Sequence, residues 1–401
     1  MTGQHGRHVR SRLVLNDRGD DVQHFDPHRE PRLVAHRRLT REDLRDGAER
    51  PVPLNSTPAV IEGLGVVLAG DDGCVTLYRY GLAAEVWTRR LPAGVYASPV
   101  ADPARRQFIV AATNGLVAAI GASGKVNWTR KLDHPVYAMP TVWAETGTVV
   151  CACFRSTVAY LNASTGDVDR LVEVPKPWDA AVDGIIAGRE IYATPVLVDD
   201  LLIVVAGESV VALDDQGRLR WQVEVGSAVK ASPVVLPDSG TVLIAATDGL
   251  VRAVEAKTGQ VHGSVALGGR INGTPYVCGD TVVCGTRMGS VFGLAADAGG
   301  IEVRWEVPGV YAPFSYTSFT GAGADVVIGV RDQQDIIALR ASDGSFLWQT
   351  SQVMGKPEHD GEVHTTPVVT SDGHMFATSY DGDLYEYLFR PASGGGDGDE
   401  A

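Results

Sequence analysis

A six-residue phrase recurs along this chain, and its spacing restricts the folds that the chain can adopt. The clearest copies are VYASPV at 95–100, VYAMPT at 136–141, IYATPV at 191–196, VKASPV at 229–234 and INGTPY at 271–276. Looser copies are LNSTPA at 54–59, VYAPFS at 310–315 and VHTTPV at 363–368. Most copies lie about 40 residues apart, a period that indicates one supersecondary unit used repeatedly.

Each repeat reads as a series of short strands. In the second repeat an apolar run at 108–113 meets Asn114-Gly115, and a second apolar run at 116–121 is followed by a third segment at 125–132. An Asx-Gly pair between apolar runs predicts a tight hairpin in which both turn residues adopt positive φ. With the opening phrase this makes four strands per repeat, and helical periodicity is almost absent. The sequence therefore predicts an all-β, eight-bladed β-propeller of four-stranded blades.

The domain boundaries follow from the repeats. Blades are predicted to start near residues 54, 95, 136, 191, 229, 271, 311 and 363. The last unit ends after three strands, and VAHRRL at 34–39 matches VWTRRL at 86–91 of the first unit. We therefore expect an N-terminal strand at 33–39 to complete the last blade and close the ring, which removes exposed sheet edges. Residues 1–30 are predicted to be a partly disordered arm, 31–390 a single propeller and 391–401 a disordered acidic tail.

Composition excludes several classes of protein. A net charge of −14 lacks the basic footprint of a nucleic-acid-binding protein. The chain has no apolar run of about 18 residues and no secretory h-region, so we expect a cytoplasmic protein without a membrane partner. Five cysteines lie in apolar runs and are odd in number. They are predicted to be reduced and buried, rather than a disulfide framework or a zinc site.

Three outer-strand phrases carry a family resemblance: GASGKVNW at 121–128, DDQGRLRW at 214–221 and ASDGSFLW at 341–348. They resemble the tryptophan-docking repeats of the PQQ-like β-propellers, over about residues 55–390. That superfamily includes quinoprotein alcohol dehydrogenases and outer-membrane assembly lipoproteins of the BamB type. The resemblance implies that the tryptophans pack between blades. They are Trp87, Trp128, Trp221, Trp305 and Trp348, with Arg170 and Gly263 near that place in units three and five.

The resemblance does not extend to a quinone site. In quinoproteins it would imply an adjacent Cys-Cys pair and a Ca²⁺ held by Glu, Asn and Asp. This sequence has no Cys-Cys pair, and it lacks the lipoprotein signal that BamB-like envelope work implies. The segment HDGEVH at 359–364 has no third anchoring motif for a metal. We therefore expect no cofactor and no metal.

The second position of the recurring phrase supplies the candidate catalytic residues, because the blade-to-blade loops of a propeller surround one mouth of its channel. The predicted catalytic residues are Tyr96, Tyr137, Tyr192, Lys230 and His364, and the predicted substrate contacts at the same position are Asn55, Asn272 and Tyr311. Tyrosine, lysine and histidine at equivalent places favour a titratable pocket. The alternative is a structural ring, since tyrosine also suits strands.

Departures from the repeat add further candidates. Three long connections, at 40–54, 175–190 and 351–362, are expected on the face of the channel mouth, and TRED at 40–43 is predicted to cap a short helix. Their predicted substrate contacts are Trp178, Asp179, His359 and Glu362. In three hairpin turns Arg155, Arg287 and Arg331 replace Asx-Gly, which suggests an anionic ligand. The alternatives are loops that contact another subunit and arginines that are merely solvated.

Two functions remain open on the sequence. No P-loop, dinucleotide fingerprint or nucleophile elbow follows a strand. The first function is a non-redox enzyme of the lyase, cyclase or isomerase type, acting on a small organic anion in bacterial specialised metabolism. The second is a non-catalytic interaction scaffold with a protein partner or a second copy of itself. A deep pocket with convergent polar groups would favour the enzyme, and a flat apolar face would favour the scaffold.

Overall fold

The computed structural model confirms the predicted fold class. It describes residues 12–13, 25–42, 47–175, 191–237, 239–310, 318–331, 335–350 and 365–392. Eight antiparallel blades of four strands form a ring; seven blades use consecutive strands, the eighth takes its outer strand from the N-terminal segment, and inner strands of neighbouring blades contact one another. Within these residues there is no α-helix, only a 3₁₀ turn at Pro103–Arg105, and no helix that could span a membrane.

The strands of each blade run in order from the channel to the rim. Blade one consists of Ala59–Ile61, Gly65–Ala69, Cys74–Arg79 and Glu85–Arg90, and blade two of Val100–Asp102, Gln107–Ala111, Leu116–Gly121 and Val126–Lys131. Blade three consists of Thr141–Trp143, Thr148–Cys153, Thr157–Asn162 and Val168–Glu173, and blade four of Val196–Val198, Leu201–Ala206, Ser209–Asp214 and Leu219–Glu224. Blade five consists of Val234–Val235, Thr241–Ala245, Leu250–Glu255 and Val261–Ala266, and blade six of Tyr276–Cys278, Thr281–Gly285, Val291–Asp297 and Gly300–Val307. Blade seven consists of Thr320–Ala322, Val326–Val330, Ile336–Arg340 and Phe346–Gln349, and blade eight of Val368–Val369, His374–Thr378, Asp383–Leu388 and Arg32–Arg38.

The recurring phrase precedes the innermost strand rather than opening it. In blade two the strand begins at Val100, directly after Pro99. The residues before it alternate in burial: Val95 and Ala97 are 0% and 1% exposed, whereas Tyr96 is 36% exposed. The small third residue therefore lies in the core, and the second residue faces the channel mouth.

The Asx-Gly turns differ from the predicted geometry, because only the glycine has positive φ. Gly73 has φ of 79° and donates its N–H to the Gly70 carbonyl at 3.0 Å, while the Asp72 carboxylate accepts the Cys74 N–H at 3.0 Å. This is a type I turn followed by a left-handed residue. A Cβ on Gly73 would lie 2.5 Å from the Leu91 carbonyl oxygen, so close backbone approach also requires glycine there.

Each docking tryptophan joins its blade to the next one. The Trp87 indole N–H donates to the Ala122 carbonyl at 2.9 Å, and its ring lies against Gly124, where a Cβ would be 2.5 Å from Trp87 Cγ. The same contacts recur for Trp128 with Ala163 and Gly166, Trp221 with Ala256 and Gly259, and Trp305 with Ala341 and Gly344. The glycine and the tryptophan of the outer-strand phrase are thus two halves of one inter-blade contact.

Blades three and five lack the docking tryptophan and contact the next blade in other ways. Arg170 in blade three donates to the Asp215 carbonyl at 2.7 Å and to Gln216 Oε1 at 3.0 Å, so a guanidinium links this blade to the next. In blade five a Cβ on Gly263 would lie 3.6 Å from the Gly300 Cα. The long outer hairpin of blade six therefore fills the place that an indole occupies elsewhere.

The N-terminal strand closes the ring, as predicted. Arg32–Arg38 pairs antiparallel with Asp383–Leu388. The Trp348 indole N–H donates to the Pro27 carbonyl at 2.8 Å, so the N-terminal segment takes the place that the next blade takes for the other tryptophans. His36 Nε2 lies 2.8 Å from the buried Asp383 carboxylate. The last blade is therefore built from both ends of the chain.

Part of the predicted N-terminal arm lies inside the channel. Arg12–Leu13 pairs in parallel with Val60 and Ile61 of the innermost strand of blade one, and contacts the innermost strand of blade two. The sheet of blade one thus has a fifth strand on its channel side. The backbone of this segment occupies the channel beside blade one.

The first long connection is a hairpin, so the predicted short helix was wrong. Thr40–Glu42 pairs with Glu49–Pro51. The Leu39 N–H donates to the Gly382 carbonyl at 2.8 Å, which places the hairpin beside the turn of the last blade. Backbone pairing across the hairpin prevails over the capping signal of the TRED segment.

All five cysteines are free thiols, and four of them are buried. Burial raises the pKa of Cys153, Cys278 and Cys284 to about 12, and burial together with Asp72 raises that of Cys74 to about 11. Because the thiolate is the reactive form, we expect at most about one thiol per chain to react with a disulfide reagent at pH 8 in the folded protein. Five should react in guanidinium. Rapid reaction of two or more in the folded state would contradict this burial.

Candidate functional site

A cavity of about 850 Å³ lies at one mouth of the channel. It brings together six of the predicted residues, all from the second position of the repeat: Asn55, Tyr96, Tyr137, Tyr192, Lys230 and Asn272. They converge because the segment before each innermost strand directs the second and fourth residues of the repeated phrase toward the channel. Their catalytic and binding roles stay predictions.

Four aromatic side chains form a cluster on one side of the cavity, which we call the aromatic arc: Tyr96, Tyr137 and Tyr192, which line the cavity, and Phe154, which packs against Tyr137 and Tyr192. The ring centroids of Tyr137 and Phe154 are 4.6 Å apart in a stacked arrangement, and Tyr96 is 5.4 Å from Tyr137. Tyr192 closes the cluster at 5.2 Å from Phe154 and 6.0 Å from Tyr137. The arc spans blades two to four and presents a continuous aromatic surface.

Lys230 stands at the end of this arc. Its Nζ lies 5.8 Å from the centroid of the Tyr192 ring, within the range of a cation–π contact. It is half-buried, and it is the one formally charged side chain among the described residues that line the cavity. No described carboxylate lines the cavity. The described lining therefore carries one formal positive charge, while the carboxylate of Asp71 lies close to Tyr96 at the edge of the cavity.

Tyr96 is held as a neutral phenol. Partial burial, followed by the carboxylate of Asp71 and the neighbouring Tyr380, raises its pKa above the ordinary value. At neutral pH this side chain can donate a proton or a hydrogen bond, and it does not act as a base.

The predicted arginines lie on the same face but away from the cavity lining. Arg287 donates its backbone N–H to the Arg270 carbonyl at 2.8 Å, which fixes its turn beside the mouth. Arg331 Nη1 donates to Gln349 Oε1 on the outer strand at 3.1 Å. Arg155, with φ of 60°, is exposed in its turn. Hairpin turns lie farther from the axis than innermost strands, so these arginines surround the mouth at its rim.

Six predicted residues lie outside the described part of the chain: Tyr311, His364, Trp178, Asp179, His359 and Glu362. The register of blade seven also shifts one assignment. Ser318 bonds its neighbours in the ring as Ser232 and Thr274 do, so it is the fourth residue of the repeat. Counting back two residues along the sequence from Ser318 gives Tyr316, whereas the phrase VYAPFS predicts Tyr311; both tyrosines lie outside the described residues.

Sequence reasoning missed the residues that precede the turn pairs. Phe154, Asp71 and Tyr380 occupy the same place in their hairpins, immediately before the Asx-Gly pair or the residues that replace it. The N–H of Asp71 and that of Phe154 donate to the residue before the repeat phrase, at 3.0 and 2.9 Å. This bond holds their side chains beside the mouth. The signal was available as a polar or aromatic residue just before each Asx-Gly pair.

Comparison with known proteins agrees with this architecture. The sequence profile of a family described as outer membrane protein assembly factor BamB matches residues 29–210 and 206–393. The chain belongs to the BamB family. BamB from Moraxella catarrhalis is similar in structure to this BamB-family chain, with a TM-score of 0.67 and 16% identity over 90% of this chain and 100% of that one. The computationally designed Ika8 protein has a TM-score of 0.65 and 14% identity over the same shares. These likenesses show the fold alone.

One curated relative of this BamB-family chain bears an enzyme's name. The beta-alanine-activating enzyme of Drosophila melanogaster is 26% identical over 217 residues, which cover 48% of this chain and 20% of that enzyme. The chain thus spans about a fifth of the length of the curated relative that it matches.

A quinone site with calcium does not fit the described lining. Calcium is held by six to eight oxygens, with carboxylates prominent among them. Asn55 and Asn272 supply amide groups, but no carboxylate from the described residues lines the cavity. Within the described residues no three His, Cys, Asp or Glu side chains are grouped to hold a metal.

Proposed function

We propose that this propeller binds a small organic anion in its channel mouth and performs non-redox acid–base chemistry on it. The observation that carries the proposal is the composition of the described lining, which holds Lys230 and many neutral hydrogen-bond donors but no carboxylate. A cavity of about 850 Å³ suits a ligand of metabolite size. An oxyanion would satisfy these donors, which water satisfies less completely.

A buried donor in the same cavity supports an anionic ligand. Asn55 Nδ2 is inaccessible to solvent and finds no acceptor among the described residues. Buried polar groups of proteins rarely lack a partner, and a rotation of this amide toward the cavity would give it an acceptor when an oxyanion binds. The beta-alanine-activating enzyme, by its name, also concerns a carboxylate, although the match covers only 20% of it.

The proposed chemistry uses the phenols and Lys230. Tyr96 stays protonated because burial and Asp71 raise its pKa, and it would act as the general acid. Lys230 would hold the anion, Tyr137 and Tyr192 would orient the substrate, and His364 would be the base. A lyase, cyclase or isomerase reaction needs these roles alone. We place the reaction in the cytoplasm of a bacterium, in specialised metabolism, where free thiols such as these five remain reduced.

Substitution of Lys230 tests the proposal. The panel consists of acetate, succinate, citrate, benzoate, 2-naphthoate and methylphosphonate, each added to the purified protein during thermal unfolding. We expect at least one anion to raise the Tm of the natural protein by about 2 °C or more, as ligand binding to the folded state requires. Lys230→Met should abolish that rise, because it removes the cation of the described lining.

Lys125→Met is the matched control, because Lys125 is exposed in an outer turn of blade two. It should keep the response in full. The proposal fails if no anion raises the Tm, or if Lys230→Met responds as the natural protein does.

A protein-binding scaffold is the second candidate, favoured by two observations. The family description is that of an assembly factor. Around the mouth, Met288, Tyr192 and Tyr380 are 74%, 45% and 46% exposed, and exposed apolar groups mark interaction surfaces. Met288→Glu should disrupt partner binding yet leave the response to anions unchanged. Unchanged recovery of partner proteins with this variant would remove support for the scaffold.

A further inference from the structure

The fourth position of the repeat forms a ring of hydroxyl groups within the cavity, which we call the hydroxyl belt. Its members are Ser98, Ser232, Thr274, Ser318 and Thr366, with Thr57 and Thr194 at the same place in blades one and four. All seven line the channel-mouth cavity. The Ser or Thr found at this position in most repeats therefore supplies hydroxyl groups to the cavity in addition to its part in blade packing.

Backbone bonds between blades fix the orientation of this belt. The Thr57 N–H donates to Ser98 Oγ at 2.9 Å, and the Thr194 N–H to Ser232 Oγ at 2.9 Å. The Ser232, Thr274 and Ser318 N–H groups donate to the next hydroxyl at 2.9, 2.9 and 3.0 Å. Each accepting oxygen uses a lone pair, so its hydroxyl proton remains for another acceptor. The described residues supply no acceptor for these protons.

The belt is interrupted once, in blade three. Met139 holds the fourth position there, and it lines the same cavity. The interruption lies in the blade that also supplies Tyr137 and Phe154, whose rings stack at 4.6 Å. In blade three the lining therefore has a thioether in place of a hydroxyl, next to the aromatic arc, whereas the other blades present a hydroxyl at this position among further apolar side chains such as Phe319 and Val368. A thioether beside aromatic rings suits an aromatic ligand.

We propose that the ligand is a compact arylcarboxylate, with its ring against Met139 and the aromatic arc and its carboxylate on Lys230 and the hydroxyl belt. This rests on the proposed function and names the substrate class of the same site. The two subsites are adjacent, because Lys230 Nζ lies 5.8 Å from the Tyr192 ring and that ring lies 6.0 Å from Tyr137. A ligand that carries its anion directly on a flat ring, or one or two bonds away, spans this distance.

Calorimetric titration with three probes tests the class. The probes are 2-naphthoate, its neutral counterpart 2-naphthamide, and cyclohexanecarboxylate, which keeps the charge without aromaticity. We expect 2-naphthoate to bind at least about tenfold tighter than either of the others, a difference of one order in Kd for each lost subsite. The amide lacks the charge, and the saturated ring cannot stack on the arc.

Two substitutions locate the two subsites. Met139→Thr, which continues the belt, should weaken 2-naphthoate about tenfold and cyclohexanecarboxylate less than about threefold. Met288→Thr is the matched control, since Met288 is 74% exposed and does not line the cavity. Ser232→Ala should weaken both carboxylates about fivefold, whereas Ser232→Thr keeps the hydroxyl and should restore binding.

The outcomes separate this inference from the proposed function. If cyclohexanecarboxylate binds as tightly as 2-naphthoate, if Met139→Thr binds as the natural protein does, or if no probe binds, the arylcarboxylate class is wrong. The general anion site would still stand if another anion of the panel binds through Lys230. If Lys230→Met leaves the binding of every anion unchanged, the proposed function itself fails.

Discussion

Removing residues 1–52 is expected to abolish cooperative folding or to lower stability by more than about 5 kcal/mol. Such a chain loses the outer strand of the last blade and the segment from Phe25 to Pro27. Removing the core contribution of one buried phenylalanine costs about 3–5 kcal/mol, and an unsatisfied buried donor costs about 1–3 kcal/mol more. Phe25 is 7% exposed and stacks on Phe389 at 5.0 Å, and Trp348 donates to Pro27.

A permuted chain isolates the closure from other effects of truncation. The first chain consists of residues 53–392, and the second is the same chain followed by two glycines and residues 25–52. The junction is short, because Phe25 bridges Pro391 and the Asp26 N–H donates to the Arg390 carbonyl at 2.9 Å. Both chains lack residues 1–24 and 393–401, so they differ only in the two glycines and in residues 25–52, which contain the closing strand.

The permuted chain should unfold within about 5 °C of the natural protein, while the chain without the strand should not give a cooperative transition. Circular dichroism during heating measures both. If the chain of residues 53–392 alone unfolds as cooperatively as the permuted one, closure by the N-terminal strand does not stabilise the ring.

Replacing Gly166 by alanine should cost about 3 kcal/mol, against about 1 kcal/mol for Gly226→Ala. The two glycines have nearly the same φ, 73° and 75°. A Cβ on Gly166 would lie 2.4 Å from Cε3 of Trp128, whereas nothing lies within 4 Å of one on Gly226. Both substitutions therefore carry the same left-handed strain, and only the first also displaces a docked tryptophan.

Guanidinium unfolding followed by tryptophan fluorescence measures this difference. The double variant Gly166→Ala with Trp128→Leu gives a further check, because the smaller leucine side chain removes the overlap. The loss of stability of the double variant should therefore be less than the sum of the losses of the two single variants. Equal costs for Gly166→Ala and Gly226→Ala would show that the indole does not lie against this turn.

The fold was accessible from sequence because its determinants are repeated. The spacing of the phrase, the Asx-Gly pairs and the outer-strand tryptophans each occur several times, so an error in one unit leaves the count unchanged. The match between 34–39 and 86–91 identified the closing strand, and Arg32–Arg38 fills that place. Local errors arose where a unit departs from the repeat. The TRED segment suggested a helix cap, but hairpin pairing with Glu49–Pro51 decides its structure.

The candidate site was accessible only in part, since it depends on how the copies of the repeat face one another. The second position was identified because its chemistry varies while its neighbours stay constant. Tyr311 is predicted from a phrase that looks like the others, whereas the hydrogen bonds of Ser318 give residue 318 the fourth position in blade seven. The stacking of Phe154 on Tyr137 joins two segments of one blade that only the folded chain brings together.

The hydroxyl belt shows a further limit of sequence reasoning. A serine or threonine before proline in each repeat reads as a packing requirement, and the bonds between blades support that part of the interpretation. That the same oxygens also line a cavity follows only from the closed ring. Among the described residues, Met139 is the one fourth-position side chain without a hydroxyl, and it too lines the cavity.

The most direct test of the anion site is a crystal structure with the brominated form of whichever anion gives the largest rise in Tm. Anomalous scattering then locates the bromine without assumptions about the ligand. We expect the anomalous peak inside the channel mouth, with the anion within hydrogen-bond distance of Lys230 Nζ and at least one hydroxyl of the belt. A peak elsewhere on the protein, with no ligand density beside Lys230, would contradict the proposed site.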